Sequence, residues 1–231
     1  MSAVLKHSET GGHQLGKGEK MIIETVVVGP LMVNCYILGC ETTLEGIVID
    51  PGGDADKILS AVSGHELKIR QIVNTHGHFD HVGANRDLMD AWGVGLLIHE
   101  LDAPMLECAD VTALKYGLSA ENSPPPSGFL RDGDTISFGK YHLKVLHTPG
   151  HTLGGCSLYG EGVVFTGDTL FAESVGRTDF PGGSSAALGK SIREKLLTLP
   201  DETIVYPGHG PTTTIGHERL YNPYIANPGV L

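Results

Sequence analysis

The sequence predicts an α/β protein in which two β-sheets pack together with helices on the outside, and three observations carry that reading. Short runs rich in β-branched residues open the first half: IIETVVV (22–28), VNCYILG (33–39) and GIVIDPG (46–52). Each is broken by glycine, proline or asparagine, as strands bounded by turns are. The second half repeats the habit, with strand-like runs at 134–138, 141–147, 155–159 and 162–166 before a helical pattern at 185–198. Between the halves, SPPPSG (123–128) puts three prolines in a row, which neither a helix nor a central strand continues. It reads as a candidate linker between two similar halves, whose strand ends would meet in a crevice.

The elements follow in order. Residues 1–20 carry few apolar side chains and no periodicity, so a mobile tail is expected there, with one domain running from 21 to 231. The first three runs suit an antiparallel meander. Asp54 is placed to cap a helix in which Ile58, Leu59 and Val62 share a side before Gly64 stops it. A buried strand, 69–75, then runs into a cluster of histidines. A helix through Ala84 to Trp92, a strand GLLIH (95–99) and a helical stretch from Asp102 to Tyr116 complete the first half. Leu188, Ile192 and Leu196 recur at helical spacing in the second. A strand TIVYPG (203–208) and a helix near 214–221 close the chain.

Composition narrows the function classes. Lys plus Arg number 16 against 27 Asp plus Glu, a net charge of −11 with no basic cluster, which disfavours nucleic acid as a partner. No apolar run reaches the roughly 18 residues of a membrane span. The four cysteines, Cys35, Cys40, Cys108 and Cys156, form no CxxC pair. They read as buried or half-buried free thiols, and with no secretory leader in view the cytoplasm is the expected compartment. Histidine, at 12 of 231 residues, is abundant and clustered, which points to metal chemistry.

THGHFDH (75–81) supplies His76, His78, Asp80 and His81 directly after an apolar strand. His76 and His78 point to one side of an extended segment, and Asp80 and His81 follow as the chain turns into a helix. So many ligand-type side chains beside a core are costly unless something pairs them. Three more such residues each follow an apolar strand and a glycine: His151 in TPGHTLGG, Asp168 in FTGDTLF and His209 in YPGHGP. A glycine there lets the backbone approach closely while one metal-type side chain is presented.

On these residues, and on GDTLFAESVGRTDFPGG (167–183) and PGHGPTTTIGHERLYNPY (207–224), the sequence resembles the metallo-β-lactamase superfamily. More narrowly it is similar to the small hydroxyacylglutathione hydrolase-like proteins of the glyoxalase II branch. The resemblance implies a four-layer αββα sandwich of two mixed β-sheets flanked by helices. It places His76, His78 and His151 on a first metal, and Asp80, His81 and His209 on a second, with Asp168 bridging. It also implies two divalent ions per chain, zinc foremost, with iron or manganese as alternatives. The implied reaction is hydrolysis of a small-molecule thioester by a metal-bridging hydroxide, which Asp80 and Asp168 orient. Full-length glyoxalase II enzymes add a C-terminal helical domain that binds glutathione. With the sequence ending at Leu231, a smaller or differently built substrate pocket is expected, in a monomer or a homo-oligomer.

Arg177 in GRTDF has two readings: a fork for a substrate carboxylate, or a partner for Asp179 that holds the loop. Asn222 and Tyr224 are candidates for the pocket mouth. GGSSAALGKS (182–191) ends like a phosphate-binding loop but has Ser184 where that motif needs glycine, and no G-x-S-x-G elbow occurs. The main alternative within the resemblance is a glutathione persulfide dioxygenase with one iron on His76, His151 and Asp168. Lactone, β-lactam and phosphodiester cleavage follow.

Overall fold

The computed structural model describes residues 21–226. The expected tail, 1–20, therefore lies outside the described residues, as does 227–231. Six strands form the first sheet: β1 (Met21–Val28), β2 (Val33–Cys40), β3 (Glu45–Ile49), β4 (Lys68–Val73), β5 (Gly95–His99) and β6 (Gly128–Leu130). They lie side by side in chain order, antiparallel from β1 to β3 and parallel from β3 to β6. The parallel steps are made by helices: α1 (Ala55–Gly64) crosses from β3 to β4, and α2 (Phe79–Val82) with α3 (Asn85–Trp92) from β4 to β5. From β5 to β6 the chain passes through a 3-10 helix (Ala103–Cys108) and α4 (Ala109–Leu114).

The second sheet contains β7 (Thr135–Phe138), β8 (Tyr141–His147), β9 (Cys156–Gly160), β10 (Val163–Gly167), β13 (Ile204–Pro207) and β14 (Thr213–Thr214). Its order is β14-β13-β10-β9-β8-β7, with one parallel pair, β10 and β13. A small hairpin, β11 (Leu170–Phe171) with β12 (Ser174–Val175), leaves the end of β10. Outside this sheet lie α5 (Ser185–Ser191), which continues as a π-helical turn (Ile192–Leu196), then α6 (Ile215–Tyr221) and α7 (Pro223–Ala226).

Three apolar layers hold the four structural ones together, and side-chain alternation along the strands assigns them. In β2, Cys35 and Ile37 face α1 and α3 together with Val48, Ile58, Ile72, Leu88 and Ile98. The alternate residues Tyr36, Leu38 and Cys40 face the other sheet, where they meet Ile47, Phe138, Val145, Leu158 and Phe165. A third layer, Val164, Val205, Leu188, Ile192, Leu196 and Ile215, seats α5 and α6 on the second sheet. Strands buried on both faces read as continuous apolar runs, which is why β2 and β10 are buried along their whole length. This is the αββα sandwich of two mixed sheets.

Several expectations are corrected. SPPPSG is not a linker between halves: Ser127 N–H donates to Leu96 O and Gly128 begins β6, so the prolines belong to the first sheet's last crossover. Asp54 makes no side-chain cap on α1; its carboxylate accepts from Gly29 N and Lys57 Nζ instead. Gly64 is the last residue of that helix, and the stretch from Asp102 to Tyr116 begins as a 3-10 helix, Ala103–Cys108, with Pro104 in its first turn, where its missing N–H costs no hydrogen bond. The predicted helix at 185–198 changes to a π turn at Ile192. Cys35, Cys40 and Cys156 are buried and free, but Cys108 is exposed. Asn222 is buried too, donating to Ser174 O and the Glu218 carboxylate, so it lines no pocket mouth. No helix among the described residues is long and apolar enough to cross a membrane.

Candidate metal centre

The site lies where strands of both sheets end on one rim of the sandwich. Strand β4 ends at Val73, and the turn after it carries His76 and His78 into α2, which carries Asp80 and His81. His151 stands in the loop between β8 and β9, Asp168 immediately after β10, and His209 two residues after β13. All seven sequence-predicted ligands therefore converge from four strand ends. Gly208 shows how tightly: a Cβ there would come within 2.3 Å of Asp168 Oδ1 and 2.8 Å of His81 Cε1. The first sheet buttresses this second-half loop, since Asn34 Nδ2 donates to both Pro207 O and Gly210 O, and Tyr36 donates its hydroxyl to Pro207 O.

The ligand atoms form two groups, each gathered within 4.8 Å: His76, His78 and His151, and Asp80, His81 and His209. In the first, His78 Nδ1 lies 3.0 Å from His76 Nε2 and 2.9 Å from His151 Nε2. Ring nitrogens this close repel unless a proton or a cation sits among them. Nitrogens about 2.05 Å from one tetrahedral Zn²⁺ would be about 3.3 Å apart. In the second, His209 Nε2 is 3.4 Å from Asp80 Oδ2, and His81 Nε2 is 3.8 Å from the same oxygen. Asp168 stands between the groups: Oδ2 is 3.5 Å from His151 Nε2 and 3.7 Å from His209 Nε2, and Oδ1 is 3.4 Å from His81 Nε2.

Two buried atoms here, His81 Nε2 and Asp168 Oδ1, have no hydrogen-bond partner. Buried polar atoms are rarely left so, and a cation bound between them would satisfy both. The residues therefore fit a dinuclear metal site.

The far ring nitrogens are also engaged, which fixes which nitrogen faces inward. His151 Nδ1 donates to Arg177 O at 2.7 Å, His209 Nδ1 to Leu31 O at 3.1 Å and His81 Nδ1 to Asp50 Oδ2 at 3.0 Å. Thr75 Oγ1 donates to Asp50 Oδ2 at 2.6 Å and so accepts from His76 Nδ1 at 3.1 Å. Asp50, also receiving Thr75 N–H, thus orients one histidine of each group. Asp50, His76 and His81 also lie close together, but Asp50 spends its oxygens on these bonds. Its place is behind the ligands. Asp102 does comparable work for the loops: buried, it accepts from Gly77 N, Thr152 Oγ1 and Gly154 N, tying the loop of His76 and His78 to that of His151.

Electrostatics separates the two groups. Burial, and then the neighbouring rings, hold His76 far below the usual histidine range and push His78 down to about 3. Burial also opposes charge on His81, but Asp168, Asp80 and Asp50 outweigh it and raise its pKa to about 10. His209 is raised as well: burial works against it, while Asp80 and Asp168 favour its charged form. Burial disfavours the Asp80 carboxylate, yet His81 and His209 hold its pKa below the usual range.

The sign of the pH dependence follows. At neutral pH His76 and His78 are held neutral, while His81 carries a proton that an incoming cation must displace, and the carboxylates beside His209 bias it the same way. Metal uptake by the second group therefore weakens as pH falls and is lost before that of the first. Titration calorimetry of the metal-free protein in buffers of different ionisation enthalpy should show at least about one proton, that of His81, released on full loading. Buffer-independent heats would contradict this.

The two weaker candidates are not brought among the ligands. The Arg177 guanidinium pairs with Asp179 in a fork at 2.9 and 2.7 Å and lies over the Phe180 ring, both side chains being exposed. Only its backbone oxygen touches the cluster, through His151. Tyr224 stands on α7, its N–H bonded to Asn222 Oδ1.

A mixed-sheet αββα sandwich with two His/Asp groups at its strand ends defines a class of metal-binding α/β proteins. The chain belongs to the metallo-beta-lactamase superfamily, whose family model matches residues 28–209. It is 36% identical over 209 residues to hydroxyacylglutathione hydrolase GloC of Haemophilus influenzae, covering 89% of this chain and 98% of that one. Among solved structures it is similar to the BLEG-1 B3 metallo-beta-lactamase, with TM-score 0.84 and 35% identity over 89% of this chain and 100% of the other. It is also similar to TTHA1623 in a di-iron-bound form, with TM-score 0.80 and 42% identity over 87% and 99% of the two chains.

Proposed function

We propose that the protein is a metal-dependent hydrolase of small-molecule thioesters, S-lactoylglutathione or a related acyl thioester. The observation that carries the hydrolase reading is the pair of His/Asp groups with Asp168 between them, where the buried His81 Nε2 and Asp168 Oδ1 have no hydrogen-bond partner and a bound cation would satisfy both. Bound there, divalent cations supply Lewis acidity, lowering the pKa of water and polarising a carbonyl oxygen. Zinc is the first expectation, and the di-iron form of TTHA1623 keeps iron as the alternative.

The chain's own groups fit water as the nucleophile. Cys156 lines the space beside His76, His151 and Asp168, but its thiol donates to Gly154 O and burial pushes its pKa far up, so it remains protonated. Asp80 and Asp168 both face His209 Nε2 and present carboxylate oxygens that accept hydrogen bonds from water and aim it. His151 and His209 hold fixed tautomers through Arg177 O and Leu31 O, so ligand lone pairs stay directed inward. Support for a thioester comes from the relative named as a hydroxyacylglutathione hydrolase, which the chain matches nearly end to end. The match to the BLEG-1 B3 metallo-beta-lactamase is of similar extent, so nitrocefin is the competing substrate to compare.

A panel of S-lactoylglutathione, other acyl thioesters, homoserine lactones, nitrocefin and bis-p-nitrophenyl phosphate tests the reading. A thioester should show the highest kcat/KM. Efficient turnover of a lactone, β-lactam or phosphodiester with inert thioesters would overturn it.

A further inference from the structure

A pocket of about 210 Å³ opens directly beside the first metal-type group, and nothing in the chemistry above uses it. His78, Phe79, Pro104, Met105, Cys108 and Thr112 are among the residues lining it, and no lysine, arginine or acidic side chain is. We propose that this pocket takes the acyl chain of the substrate, so that the preferred class is thioesters of apolar acyl groups of about four to six carbons. The inference rests on the thioester reading and deepens it.

Three features support the assignment. His78 belongs to both places: its Nδ1 meets His76 and His151, and its residue forms one wall of the pocket. A chain seated in the pocket therefore begins next to where a reacting carbonyl must lie. The lining also selects which end of the substrate enters. The carboxylates and ammonium of a glutathionyl group would lose water there and find no ionic partner, which is costly, whereas an apolar chain gains by leaving water. Size sets the length: at roughly 30 Å³ per water-sized group, about seven groups fit, the carbonyl included.

The wall is also held in place. Asp102 opens the 3-10 helix that carries Pro104, Met105 and Cys108, and it accepts from Gly77 N on the opposite wall and from Thr152 and Gly154 of the His151 loop. Phe79 packs against Tyr116 with ring centroids 5.7 Å apart, and Phe180 stands edge-on to His78 at 5.4 Å, extending the apolar surface past the pocket. Preformed apolar clefts beside a few polar groups are where small ligands bind.

The test uses metal-loaded protein and N-acetylcysteamine thioesters of acetyl, butanoyl, hexanoyl and octanoyl groups, which share one leaving thiol. The expected kcat/KM rises about fourfold per methylene up to hexanoyl and then levels off. Filling the pocket with Cys108→Trp or Thr112→Trp should bring the hexanoyl-to-acetyl ratio down towards one. Cys108 is exposed, so its variant is the safer for folding. The second readout needs no turnover: the other three cysteines are buried, so maleimide labelling reports Cys108, and hexanoate should slow it where acetate does not.

Brisk thioester turnover with a flat chain-length profile and an unprotected Cys108 would overturn the pocket assignment and leave the thioester reading standing. Absence of turnover for every thioester would overturn that reading. Hexanoate protection of Cys108 would then still decide whether the pocket accepts an apolar chain.

Discussion

Replacing His151 with alanine should lower kcat/KM at least about 10³-fold, the scale expected when generation of the nucleophile and polarisation of the carbonyl are lost together. His151 Nε2 lies 2.9 Å from His78 Nδ1 in the first group and 3.5 Å from Asp168, the residue between the groups. Its removal therefore unbalances both. Folding should survive, because the apolar layers lie behind the strand ends and His151 belongs to none of them. Steady-state kinetics with metal analysis and circular dichroism check this. Near wild-type turnover by H151A protein that has lost its metal would contradict the mechanism.

Asp50→Asn should weaken metal binding about 10- to 100-fold, the range typical when the partner behind a ligand is changed. The native carboxylate accepts from His81 Nδ1, Thr75 N and Thr75 Oγ1, all buried. An amide nitrogen in place of one oxygen would face a donor instead of accepting from it. His81 would lose the bond that sets its tautomer, and His76, held through Thr75, would lose it indirectly. Equilibrium dialysis against a competing chelator measures the change. An unchanged affinity would show that Asp50 serves packing alone.

The site was more legible in the sequence than the residues that support it, and the difference has a physical cause. Ligand residues come in types and spacings that chemistry restricts: two histidines at i and i+2, then an aspartate and a histidine entering a helix. His151, Asp168 and His209 each repeat the pattern of strand, glycine and ligand. Asp50 offers no such signal, because an aspartate before Pro-Gly at the end of an apolar strand reads as an ordinary turn. Asp102, before Ala-Pro, reads as the start of a helix. Both act only once folding brings Thr75, 25 residues from Asp50, and Gly154, 52 residues from Asp102, to their carboxylates. The prolines of 123–128 were legible as a break but not as one inside the first sheet, since their place depends on the pairing of β6 with β5.

The measurement that bears most directly on the account is anomalous diffraction from crystals of the fully metal-loaded protein, recorded on either side of the bound metal's absorption edge. Two peaks about 3.5–4 Å apart are predicted. One should be surrounded by His76, His78 and His151, the other by Asp80, His81 and His209, with Asp168 reaching both. A single peak at full loading, with His81 and His209 turned away from it, would contradict the dinuclear centre.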